Sequence, residues 1–410
     1  MVDLLADVRV LELSGPSGMY AGKILADLGA DVIKVEPPNG SEERMMGPFY
    51  KNEQGLETSL VHLYHNMNKR SVTIDLDTEN GIKTFHQLVK NVDVVIESFS
   101  SDMKNYSLIT PKKLMEIAPG IIVISISPFG KSGPYKDYQS TDLVNMAMGG
   151  LLYLAGSPDS APVRAYGNQS YIISSLHSVV ALLMALYNPS PEGEHIDLSM
   201  QEAVAHTLEN AAQYYDLENV IRKRTGNNVS EAGSGLFEAQ DGSVYLLTTL
   251  RGEMLCWNHF VKWLESENAA GIEKLKDDKW KSYEFRKLPE AIQIFNEVTS
   301  EFFIKHSKLY LYENGQKFGV SICPISTTED LLNSPQLNAR EFFKTVEHDR
   351  FQDTVTYPGP PFRFSGSPWT LQRHAPFLGE HNKEIYLQEL NIKSEEVLEK
   401  TKETIGGGAK

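Results

Sequence analysis

Cysteine is nearly absent: Cys256 and Cys323 are the only two in the chain. Two distant thiols make no disulfide framework and no Cys-based zinc site, which points to a reducing compartment such as the cytosol. Histidine does not fill the gap. None of the 11 histidines stands in an H-E-x-x-H or similar spacing, and His177, His195 and His348 read as structural side chains, so no metal is expected. Positive charge is short too, with 39 Lys and Arg against 54 Asp and Glu and a net charge of −15. A nucleic-acid binder needs a basic face to displace phosphate counterions, so that class is set aside. The longest uncharged apolar run, Tyr171–Tyr187, holds Ser174, Ser175, Ser178 and His177 and falls short of the ~20 apolar residues of a bilayer span. It reads as a buried helix. The opening segment MVDLLADVRVLELS lacks the basic start and cleavage site of a signal peptide. The expectation is a soluble cytoplasmic protein that engages neither membrane nor nucleic acid.

What is present is an ordinary globular balance, 41% hydrophobic and 23% charged residues, in a 410-residue chain long enough for two domains. RVLEL (9–13) reads as a buried strand, MYAGKILADLGA as a helix stopped by Gly29, and DVIKVE (31–36) as a second strand. That is a βαβ unit. RSVTIDL, NGIKTFHQLVKN, VDVVIES, PKKLMEIA and GIIVISIS continue the alternation, which predicts a parallel sheet covered on both faces. Beyond Gly130 the segments LVNMAMGGLLYLAG and Tyr171–Tyr187 read as apolar helices, and EHIDLSM as a strand entering a long helix, QEAVAHTLENAAQYYDL. A second domain follows the polar stretch TGNNVSEAGSG, and the tail KSEEVLEKTKETIGGGAK reads as a charged helix ending in flexible glycine.

The turn Ser14-Gly15-Pro16-Ser17-Gly18 fits neither G-x-G-x-x-G nor a P-loop, and no G-x-S-x-G elbow occurs. It still follows a strand and opens a helix, where backbone N–H groups hold anions; a purely structural turn explains it as well. Lys69 and Arg70 in NMNKRS could contact a phosphate, and a solvated loop before a strand reads the same way.

Several strings taken together go further. VRVLELSGPSGMYAGKILADLGADVIKVEPP (8–38) resembles the N-terminal signature of the class III CoA-transferases, the family of formyl-CoA transferase, carnitine CoA-transferase and α-methylacyl-CoA racemase. NKRSVTIDLDTENG (68–81), VDVVIESF (92–99), ISISPFGKSGPY (124–135), Gly149-Gly150, EGEHIDLSMQEA (192–203), FGVSICPISTTEDLLNSPQLNAREFF (318–343) and HAPFLGEHN (374–382) continue the likeness in family order. The resemblance implies an α/β fold: a Rossmann-like large domain built from residues 1–224 and 326–410, with a smaller α/β domain at 225–325. It also implies an interlocked dimer.

By the same resemblance, an aspartate attacks the thioester carbonyl to give a mixed anhydride and CoA thiolate. The thiolate returns to make an aspartyl-CoA thioester, which the acceptor carboxylate then attacks. The position of that aspartate falls on Tyr171, and no acidic residue stands between Asp159 and Glu192. A phenol with a reference pKa near ~10 is neutral at pH 7 and forms no anhydride. The basic residue that often follows IKVE is Pro37-Pro38 here, and the E-N-F/Y string with its downstream arginine reads Glu97-Ser98-Phe99-Ser100-Ser101-Asp102. Lys69, Arg70, Lys104 and Lys131 are left as CoA-binding candidates. The racemase histidine position holds Thr141, beside Asp142. Gly233-Ser234-Gly235 falls where family members carry a glycine-rich loop over the partner's intermediate; an interdomain turn reads equally well. The expectation is a non-catalytic subunit whose homologous partner supplies the aspartate, moving CoA from a donor such as succinyl-CoA to an acid such as (R)-benzylsuccinate in aromatic degradation. No cofactor beyond the CoA thioester substrate is expected. A self-sufficient homodimer with another nucleophile, and a non-enzymatic scaffold or regulator, are the alternatives.

Overall fold

The structure, a computed structural model, describes residues 3–100, 102–226, 231–348, 350–367, 369 and 373–392. The helix expected in the tail lies outside the described residues. Two compact units divide the chain: one within Met1–Tyr153, Arg164–Arg222 and Lys344–Lys410, the other within Leu154–Val163 and Lys223–Phe343.

The first unit is built on six parallel strands: β1 (Arg9–Leu13), β2 (Asp31–Glu36), β3 (Arg70–Thr73), β4 (Val94–Glu97), β5 (Ile122–Ser127) and β6 (Glu194–Ser199). Their order is β3-β2-β1-β4-β5-β6, the doubly wound arrangement. Helices cover both faces, so the central strands bury consecutive apolar residues: Val10-Leu11, Val32-Ile33, Val94-Val95-Ile96 and Ile122-Val123-Ile124. Leu11, Ile33, Val72, Val95 and Val123 enter one core, and Val10, Val32, Val94, Ile96 and Ile124 enter the other. The far C-terminal segment closes the β3 edge. Asn382 Oδ1 accepts from the Thr73 amide (2.8 Å), Asn382 Nδ2 donates to Thr73 Oγ1 (2.8 Å), and the Tyr386 hydroxyl donates to the Thr73 carbonyl (2.9 Å). A sheet edge is thereby blocked by a segment more than 300 residues away.

Three helices differ from expectation. LVNMAMGGLLYLAG breaks into Asp142–Met148 and Leu151–Leu154, because Gly150 turns the chain at φ 87°. QEAVAHTLENAAQYYDL likewise splits into Met200–His206 and Ala211–Glu218. Gln169–Tyr187 is a single 19-residue helix, long and apolar enough by length and composition to cross a membrane, yet only part of it is buried. Its inward face is Ser170, Ser174, Ser175, Ser178, Val179 and Leu182. The Ser174 and Ser178 hydroxyls donate to carbonyls four residues back (2.7 and 2.8 Å), so small self-satisfied side chains pack against the sheet side. The larger residues Leu176, Val180, Met184 and Tyr187 are exposed.

The second unit pairs β7 (Ser234–Ala239), β8 (Gly242–Leu247) and the strand Ser321–Pro324 antiparallel. Trp257, Phe260, Trp263, Trp280, Phe295 and Phe303 fill its core. It runs on to Phe343 where the sequence suggested 325, because Thr327 and Asp330 form a capping box on the Thr328–Leu332 helix and the Asp330 carboxylate holds Lys308 Nζ at 2.5 Å. It also takes in Leu154–Val163, whose Ser157 carbonyl accepts from Arg224 Nε (3.2 Å).

Candidate active site

In a doubly wound sheet the loops after the two central strands diverge to opposite faces, and the crevice between them receives ligands. Here those strands are β1 and β4. A cavity of about 440 Å³ opens at their carboxyl ends, bounded by Gly15, Pro16 and Ser17 after β1, Ser98 and Phe99 after β4, and Ser127 and Pro128 at the end of β5. Tyr106, Lys131, Lys136, Tyr138 and Tyr171 complete much of its wall. Ser127 Oγ is buried without a hydrogen-bond partner among the described residues.

Tyr171 lies in the first turn of the Gln169–Tyr187 helix and faces this cavity. Burial, with the Asp142 carboxylate adding to it, pushes its phenol above the ordinary value, so it is neutral at physiological pH. The carboxylate beside it is already engaged. Asp142 Oδ1 accepts from the Ser170 amide (2.8 Å) and Ser170 Oγ (2.9 Å), and Oδ2 accepts from Arg164 Nη2 (3.2 Å). It therefore caps the helix N-terminus from another helix, where its negative charge is favoured, and it is not among the lining residues.

The basic candidates separate by burial. Lys69 has no exposed surface; its Nζ donates to Glu12 Oε2 (2.6 Å), the Met19 carbonyl (2.9 Å) and Asn66 Oδ1 (2.9 Å). All three donors are used inside the fold, which leaves none for a phosphate. Arg70 is bound to Asp31, Glu384 and Glu389. Lys104 is exposed, donates to the Asp77 carbonyl (2.9 Å) and does not line the central cavity. Lys131 alone of the four lines it, with Nζ donating to the Phe99 carbonyl (2.9 Å), 3.3 Å from Glu97 Oε1.

Gly233, Ser234 and Gly235 belong to the second unit. The last two begin β7, so the expected loop is strand from Ser234 onward, with Gly235 paired to Leu246. Gly233 adopts φ 117° and its carbonyl accepts from the Thr248 amide (2.7 Å). Ser234 and Gly235 line a separate cavity of about 630 Å³.

Sequence reasoning missed Lys136, Tyr106 and Tyr138 as wall residues and Asp142 as the helix cap. Lys136 and Tyr138 stand close after Lys131 in FGKSGPYKDY, whose glycine pattern marks a loop leaving β5, so position after a strand was the available signal.

Residues 5–382 match the CoA-transferase family III. The chain is 37% identical over 383 residues to the succinyl-CoA:(R)-benzylsuccinate CoA-transferase subunit BbsE of Thauera aromatica, covering 93% of both. It is 31% identical over 396 residues to a succinate–glutarate CoA-transferase of Agrobacterium fabrum, covering 93% of this chain and 94% of that protein. Among crystal structures, a CaiB/BaiF family protein from Brucella suis superposes with a TM-score of 0.80 at 29% identity, over 93% of this chain and 98% of that one.

Proposed function

The chain belongs to CoA-transferase family III, and from that premise we propose that it is the non-catalytic subunit of a heteromeric enzyme whose homologous partner carries the aspartate. Tyr171 carries this reading: a neutral phenol occupies the helix start that faces the cavity, and the nearby Asp142 is spent on capping. The exposed apolar face of the Gln169–Tyr187 helix supports a protein partner. The relative named as a subunit supports a two-chain assembly, and the substrates in its name make succinyl-CoA the proposed donor and (R)-benzylsuccinate the proposed acceptor. An interlocked arrangement in the cytoplasm completes the proposal.

The test is co-expression with a homologue that retains the aspartate, followed by an assay of CoA exchange between succinyl-CoA and organic acids. Turnover by the pair and none by either chain alone is the expected result. Full activity of the homologue without this chain defeats the proposal. A self-sufficient enzyme is the second reading, because the Glu42 and Asp137 carboxylates line the cavity. Turnover by this chain alone that disappears in Glu42→Gln or Asp137→Asn would establish it.

A further inference from the structure

β7 (Ser234–Ala239) is an edge strand, since the sheet of the second unit runs Ser321–Pro324, β8, β7. The cavity of about 630 Å³ lies along it, walled on the other side by Asn296, Ser300 and Glu301 of the helix Pro289–Phe303 and by Ile304, which caps that helix. We infer that this edge takes an extended segment of another polypeptide as a fourth, antiparallel strand, with a lysine or arginine opposite Glu238 and an apolar residue opposite Leu236.

The backbone comes first. In an antiparallel ladder, residues alternate between bonding the neighbour on one side and facing away from it. The Thr248 amide donates to the Gly233 carbonyl (2.7 Å), and on the far side of β8 the Ser243 carbonyl accepts from the Ile325 amide (2.8 Å). Gly235, Phe237 and Ala239, opposite Leu246, Val244 and Gly242, are therefore the residues that bond to β8. Ser234, Leu236 and Glu238 turn their N–H and C=O groups to the open edge, where no hydrogen-bond partner meets them among the described residues. Natural sheets usually block or blunt such an edge. The β3 edge of the first unit is closed by Asn382 and Tyr386, and the far edge of this sheet is short and ends in Pro324, which has no N–H. β7 has neither device: its residues pair in unbroken register, with no proline, lysine or bulge.

Side chains select the occupant. Leu236 and Glu238 are exposed on the outer face of the sheet, while Phe237 and Ala239 enter the core. A cross-strand neighbour of Leu236 gains by being apolar, and one of Glu238 by being cationic. Glu301 adds a second carboxylate, 3.3 Å from Lys305 Nζ in an exposed pair that holds it only weakly. No Lys or Arg is among the described lining residues. Asn296 and Ser300 offer short polar side chains on the helix wall, which leave room for the inward-facing residues of an added strand and can bond to them. In such an addition the main-chain hydrogen bonds supply affinity and the alternate side chains supply the choice of partner.

The inference concerns binding to this chain alone, so it stands or falls apart from the partner-subunit reading. The full-length chain is titrated into a fluorescein-labelled heptapeptide, Thr-Lys-Thr-Val-Thr-Val-Thr, whose lysine and first valine take the places opposite Glu238 and Leu236, and anisotropy is read. Replacing that lysine by glutamate is expected to weaken binding at least about five-fold, and N-methylating the first valine, which removes an N–H aimed at β7, at least about ten-fold. Glu238→Pro, which removes a carboxylate and an edge-facing N–H without touching the ladder to β8, is expected to weaken binding about ten-fold as well. No saturable binding of the lysine peptide up to about 1 mM overturns the inference, as does equal binding of the glutamate or the N-methylated peptide. These comparisons are made on the wild-type chain, so they decide the matter even if Glu238→Pro fails to fold.

Discussion

At Tyr171 the relevant chemistry is what an oxygen nucleophile leaves behind. A carboxylate that has attacked a thioester still owns an acyl carbon, to which CoA thiolate can return; a phenol owns none. Tyr171→Phe, which keeps the ring and drops the hydroxyl, should leave the activity of the assembled enzyme within about two-fold, since no proton or bond is asked of that oxygen. Tyr171→Asp should not by itself yield a CoA adduct, because Lys69 and Arg70 are committed to Glu12 and to Asp31, Glu384 and Glu389. Intact mass spectrometry after incubation with succinyl-CoA checks this; a mass increase on the single variant refutes it. A second residue-scale test concerns Gly22 in the Met19–Asp27 helix. A Cβ there would stand 1.8 Å from Glu12 Oε2, inside the buried Glu12–Lys34–Lys69 cluster. Gly22→Ala should cost about 3 kcal/mol in denaturant unfolding, while Gly15→Ala, with nothing within 4 Å, should cost little.

For the helix Gln169–Tyr187 the same apolar run supports opposite inferences from sequence and structure. Uncharged composition suggested burial on all sides, but the serines take the inside and Val180 and Met184 remain 60% and 70% exposed. Composition does not say which face of a helix meets its own fold and which meets another chain. Val180→Asp with Met184→Glu should leave the chain folded by circular dichroism and abolish co-purification with the catalytic homologue. Retained co-purification would place the interface elsewhere. The sheet was readable for a simpler reason. Strands buried on both faces must be apolar at consecutive positions, so RVLEL, DVIKVE and GIIVISIS announced themselves. The site was half readable. Tyr171 emerged from a motif with a residue missing, but Lys69 and Arg70 looked like solvent-facing charge because nothing local shows that Glu12 and Glu389 lie opposite them. Long-range charge pairing leaves no trace in spacing. Ser234 and Gly235 misled similarly, since a glycine-rich string reads as a loop until Leu246 pairs with it.

At the scale of the whole molecule, the first unit encloses an unusual amount of matched charge, and this should govern how the protein responds to acid. Lys34 joins Glu12 (3.0 Å) and Glu43 (2.5 Å), and Arg44 joins Glu36. His62 sits beside them, fully buried. Its Nε2–H donates to the Pro376 carbonyl (3.1 Å), and its Nδ1 accepts from Asn66 Nδ2 (2.9 Å), so a second proton would point at an N–H donor. Burial first, and then the Arg44 charge, hold His62 well below the ordinary histidine value; burial holds His65 down to about 4. Unfolded, both titrate near ~6.5. Below that pH the unfolded chain binds protons that the folded chain refuses, so stability falls as pH drops from about 6.5 toward 4, by up to about 1.4 kcal/mol per pH unit for each group. Glu36 extends the loss. Although its burial opposes ionisation, Arg44 holds it far below the usual carboxylate range, and its contribution disappears as the unfolded chain begins to bind that proton below about 4.5. Urea midpoints at pH 7.5, 6.0 and 5.0 should decline steadily. His62→Gln, whose amide stays neutral throughout, should show a shallower decline over the same interval. A wild-type midpoint that is flat between pH 7.5 and 5.0 would mean that these imidazoles are not held neutral by the fold.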